Sequence, residues 1–132
     1  MPQKLTWCNR DLMITSCYFT LCTTEALFKK ALKHLKIEGA DTPPFVSNWH
    51  SHATTHYFES QTDKTVSAVI CIRDYEKHSG IEVAGLLVHE ACHIWQRTCK
   101  DYGEWEPSTE FEAYSIQNIS QQLMYLFRDQ TK

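Results

Sequence analysis

The 132-residue sequence predicts an α+β domain in which a small antiparallel sheet packs on helices. Three observations carry that expectation. Stretches rich in β-branched and aromatic residues stand at 12–22, 53–60 and 65–73, the last two separated by a short polar turn. Three other stretches repeat their apolar residues with the period of a helix. The length and an apolar content of 42% suit one core and not two, so residues 1–132 read as a single domain.

The first strand is expected within 12–22 (LMITSCYFTLC). Thr24 then caps a helix over 25–36, with Leu27, Phe28, Ala31, Leu32 and Leu35 on one face. Lys29, Lys30, Lys33 and Lys36 lie on the other, and Gly39 closes the helix. The lysine face reads as a solvated one. Two prolines make 41–49 a loop, because they remove donors and fix φ. The stretches 53–60 and 65–73, joined by 61–64, read as a hairpin. The strand at 65–73 is expected beside the next helix, as the upper edge of a cleft. That helix spans 81–99, and a loop with Gly103 and Pro107 follows it. Ser108 or Thr109 caps a last helix to about Phe127, whose apolar face is Ile116, Ile119, Leu123 and Phe127.

Composition excludes several functions. A formal charge of -3 gives no basic field for nucleic acid or an anionic membrane. No apolar run approaches the ~18 residues of a membrane span, and the first residues lack the apolar core of a signal peptide. The six cysteines form no CxxC pair, so they read as free buried thiols of a cytoplasmic protein.

Residues 88–93 read Val-His-Glu-Ala-Cys-His, so that His89, Glu90 and His93 make an HExxH pattern. Residues four apart on a helix lie one turn above each other, so His89 and His93 can present two imidazoles to one ion. Glu90 sits about 100° around from His89, outside that coordination sphere but within reach of a water. Zinc suits such a set, since it takes nitrogen and oxygen ligands tetrahedrally. With seven His and ten Glu in the chain, a chance match has a probability of roughly 3%.

A catalytic zinc needs a third protein ligand and an open position. No histidine follows His93, and Gln96 and Cys99 stand where a metzincin has its glycine and third ligand. The remaining donors are acidic, in Glu110-Phe-Glu112-Ala-Tyr114. Glu112 shares the apolar face of the last helix, where a carboxylate is costly unless paired or bound to metal, so Glu112 is the expected third ligand. Glu110, with the small Ala113 at i+3, is the alternative.

A strand, a helix with HExxH, a loop and a helix carrying Glu together resemble the zincin metallopeptidases. The 18 residues between His93 and Glu112 look like a reduced gluzincin. The segment HEACHIWQ with the later EFEAYSIQ is also similar to small zincin-like proteins encoded in phage genomes. The resemblance implies a zinc peptidase acting on a peptide or protein, with Glu90 as general base. Many gluzincins carry an acid four residues past the ligand Glu; here that position is Ile116 from Glu112, or Tyr114 from Glu110.

His50, His52 and His56 share strand parity and suggest either one histidine face near the cleft or ordinary strand histidines. Tyr102 and Tyr114 are candidate donors to an oxyanion. Gln96 continues the stripe of His89 and His93. The rival expectation is a zinc-holding scaffold without turnover, for instance a phage assembly or interaction protein. Glu90 speaks for the enzyme, because a purely structural site has no use for it.

Overall fold

Seven residues, Val66–Ile72, decide the architecture: from Ser67 onward every one is buried. A strand buried on both faces must be central and must be covered on both sides. The computed structural model describes residues 3–8, 15–48 and 50–132. Its elements are β1 (Tyr18–Cys22), α1 (Glu25–His34), β2 (Ala53–Glu59), β3 (Val66–Ile72), α2 (Gly80–Tyr102) and α3 (Thr109–Gln130), with short 3-10 turns at Gly39–Asp41 and Tyr75–Lys77. Positions 12–14 of the first predicted strand lie outside the described residues, as does Trp49 of the predicted loop. No described helix is long and apolar enough to cross a membrane.

The strand order is β1-β3-β2. β2 pairs antiparallel with β3, from Ala53 opposite Ile72 to Glu59 opposite Val66, as the hairpin reading expects. β1 pairs parallel with β3, from Tyr18 beside Ser67 to Cys22 beside Cys71. The α+β class therefore stands, but the sheet is mixed rather than antiparallel. The physical reason is the connection: α1 and a long loop separate β1 from the hairpin, and a connection of that length permits a parallel neighbour.

One sheet face carries α1, whose Leu27, Phe28, Ala31 and Leu32 pack on Val69 and Cys71. The other face carries α2 and α3. There Leu87, Ala91 and Ile94 meet Ile119, Leu123 and the strand residues Phe19, Leu21, Ile70 and Ile72. Each fully buried Leu or Ile contributes about 1.5–3 kcal/mol relative to exposure. The buried Gln130 side chain ties the end of α3 to the end of β1: its Oε1 accepts from Thr23 N and Thr23 Oγ1, and its Nε2 donates to Leu21 O at 2.7 Å.

Local signals set the helix ends. Thr24 Oγ1 accepts from Leu27 N at 3.2 Å. α1 closes earlier than Gly39, because Lys36 takes the left-handed conformation (φ 61°) and Ile37 N donates back to Leu32 O at 2.9 Å. Ser79 and Glu82 form a reciprocal capping box at the start of α2. Gly103 ends α2 at φ 68°, a conformation glycine adopts without strain.

The expected place of the 65–73 strand is corrected. β3 is interior, and β2 is the edge strand beside α2. β3 is apolar on both faces and needs two covers, whereas β2 (ATTHYFE) mixes polar and apolar residues and tolerates an edge.

Candidate metal centre

Helical spacing brings His89 and His93 together on the outer side of α2. Both are exposed. Their Nε2 atoms stand 3.2 Å apart, with the ring centroids 4.8 Å apart and the planes at 80°. Two nitrogens each ~2.0–2.1 Å from one ion span about this distance at a tetrahedral angle, so the separation of the pair matches that of two ligands on one zinc. Gln96 Oε1 lies 3.1 Å from His93 Nδ1. If Nδ1 carries the proton in this contact, Nε2 keeps its lone pair for a ligand. Gln96 touches His93, as its place on the stripe suggests, but is not among the residues lining the cleft between α2 and β2.

Glu90 turns inward toward β2 and is only 4% exposed. Its Oε2 accepts a hydrogen bond from Thr55 Oγ1 at 2.7 Å. A buried carboxylate needs such a donor, since an unmatched one costs several kcal/mol. Together these groups border a cleft of about 420 Å³ between α2 and β2, lined by Thr55, Tyr57, His89, Glu90, His93 and Arg97 among others. Tyr57 donates its hydroxyl to His93 O at 3.1 Å. Burial, reinforced by Cys17, pushes that phenol above its ordinary range, so it remains a neutral donor.

Thr55, Tyr57 and Arg97 are site residues that the sequence reading does not single out. Two signals point to them. Alternate residues of a strand share a face, so Ala53, Thr55 and Tyr57 turn together toward α2. Arg97 stands one turn beyond His93 on the same helix.

The same alternation separates the histidine cluster from the site. His56 turns to the α1 face, where it stacks 5.2 Å from Phe28 and its Nε2 lies 3.0 Å from Phe45 O. His52 meets His78 with ring centroids 4.8 Å apart. His50 is exposed in the turn before β2. The single histidine face near the cleft is therefore not formed, and the reading as strand histidines holds for His56. Tyr114 and Tyr102 do not line the cleft; Tyr102 donates to Thr15 O at 3.4 Å, and Tyr114 is 65% exposed.

Glu112 is half-buried, and its Oε2 accepts from Trp95 Nε1 at 2.9 Å. Trp95 lies roughly 140° around α2 from the midpoint of His89 and His93. The carboxylate thus occupies the α3 flank of α2, and the imidazole pair the β2 side. Glu110 is exposed in the first turn of α3. Among the described residues, no three His, Cys, Asp or Glu side chains are grouped as a metal requires. Burial, then the charges of Glu112 and Glu104, hold the Cys99 thiol above its ordinary range. No protein family, curated protein or solved structure matches the chain.

Proposed function

We propose that this protein is a zinc-dependent peptidase that hydrolyses peptide or amide bonds. The observation that carries the reading is the 3.2 Å approach of the two Nε2 atoms beside a cleft whose wall holds the buried Glu90. His89 and His93 would hold the ion; the expected third ligand, Glu112, is bonded to Trp95 on the other flank of α2 and does not stand with them. A zinc held there would supply a Lewis acid and would lower the pKa of a water to about 7. Glu90 is the proton carrier of this chain. Thr55 engages its Oε2 and orients the carboxylate, leaving Oε1 to take a proton from water and return it to the leaving amine. Tyr57 ties β2 to the backbone of α2 at the carbonyl of His93.

One observation favours a second reading. Ile116 stands four residues past Glu112, where many gluzincins carry an acid, and the lack of an acid there suits a zinc-holding scaffold without turnover. The experiment that separates the two is Glu90→Gln, with metal content measured by plasma mass spectrometry and hydrolysis measured on a broad peptide library. The peptidase reading expects unchanged zinc and melting temperature with a loss of at least ~10²-fold in hydrolysis. Identical product profiles from wild type and variant would leave the scaffold as the better account.

We also propose a cytoplasmic location, supported by six free cysteines, three of them fully buried. Alkylation of the protein as isolated should modify all six on unfolding; a disulfide would remove this reading.

A further inference from the structure

We propose that Arg97 is the specificity-determining residue of the cleft, and that it receives a substrate carboxylate about one helical turn from the bond that is cut. The inference rests on the peptidase reading for the word substrate, but its geometry is independent of the metal. Arg97 is the only lysine or arginine among the described residues lining the cleft. It follows His93 by four residues on α2, which places its Cα about 6 Å further along the helix.

The guanidinium is held on two sides. Its Nε donates to both oxygens of Asp101, at 3.0 and 3.3 Å, and Asp101 Oδ2 also accepts from Ser16 Oγ at 2.7 Å. Its Cζ lies 4.8 Å from the centroid of the Tyr57 ring, the same side chain that donates to His93 O. Both hydrogen bonds leave from Nε. Among the described residues no hydrogen bond leaves from Nη1 or Nη2. A surface i,i+4 ion pair alone would not need an aromatic platform. What the arrangement leaves over is a planar pair of donors on a residue that lines the cleft, with Nε and Cζ held in place by Asp101 and Tyr57. A fork of that shape matches a carboxylate bidentately, which an ammonium on a flexible stem does not. Two parts of a peptide supply that chemistry: its C-terminal carboxylate, or an Asp or Glu side chain next to the cut.

Three libraries of N-acetylated tetrapeptides test this and separate the sources. One ends in free acids and contains no Asp or Glu. The second is C-terminally amidated and contains Asp and Glu. The third is amidated, with Asn and Gln in their place. Cleavage is followed with the zinc-loaded wild type, and binding with zinc-loaded Glu90→Gln. The expected result is at least a tenfold preference for one of the first two libraries over the third. That preference should vanish in Arg97→Gln and shrink in Arg97→Lys, with zinc content and melting temperature recorded for each. The preferred library names the source of the carboxylate. Equal use of all three libraries, a preference kept in Arg97→Gln, or no binding and no cleavage of any library overturns the proposal. Selective binding without cleavage keeps Arg97 as a carboxylate receptor and discards the peptidase reading. Cleavage without selectivity does the reverse.

Discussion

The two flanks of α2 differ in what each asks of its neighbour. Toward β2, Glu90, His93 and Arg97 meet Thr55 and Tyr57, and the contacts are hydrogen bonds and a cation over a ring around an open cleft. Toward α3, Ala91, Ile94 and Trp95 meet Ile119 and Leu123, all buried, and the polar contact is Trp95 with Glu112. A helix of 23 residues can carry both because its faces are set by angle and not by distance along the chain. The packed flank fixes the helix, and the fixed helix holds the polar flank in register with the edge strand. The difference teaches that a half-buried acid near a metal motif is not thereby a ligand. Glu112 also sits where an indole N–H needs an acceptor, and that need alone accounts for it.

The sharpest way to break this contrast is His93→Ala. It should abolish zinc binding, measured as metal per chain after dialysis, while the packed flank keeps its melting temperature within a few degrees. Next comes Leu123→Ala on the α3 flank, which should cost about 2–5 kcal/mol in denaturant unfolding and leave the affinity of the remaining folded protein for zinc unchanged. The glutamates follow. If Glu112 is the third ligand, Glu112→Ala loses zinc and Glu110→Ala keeps it, as equilibrium dialysis would read; the opposite pattern transfers the role to Glu110. Trp95→Phe sharpens the same point. It removes the donor to Glu112 and should cost roughly 1–3 kcal/mol of stability, with zinc affinity altered only if the indole positions a ligand. Thr55→Val is its counterpart on the β2 flank, expected to cost about as much because the buried Glu90 loses a donor.

The remaining effect is alkaline. Burial pushes the Cys8 thiol up to about 11 and, with the Asp101 charge, the Cys17 thiol up to about 12, against 9.0 for an ordinary thiol. The folded chain therefore keeps protons that the unfolded chain releases. This contribution to stability is complete below pH 9 and is lost as pH rises through 11 to 12. Melting temperatures between pH 8 and 11.5 should fall less steeply for Cys17→Ala than for wild type.

Much of the fold was legible because its signals are local. Thr24 and Ser79 are caps, Gly103 is a helix end, and the helical period announced α2 and α3 within a few residues of their observed bounds. The spacing of His89 and His93 determined that two imidazoles would converge, since one turn of helix enforces it wherever the helix lies. The sequence by itself also determined that Glu90 would turn away from that pair. Only the tertiary structure decided what each element faces. β1 joined β3 in parallel, and β3 became interior because both of its faces required cover. The polar β2 was left at the edge, where its alternation sent Thr55 and Tyr57 to the cleft and His56 to α1. Glu112 went to Trp95 because α3 docks on the far flank of α2. Periodicity is written in neighbouring residues, but pairing and docking follow from which distant apolar surfaces can exclude water together, and no short stretch of chain contains that information.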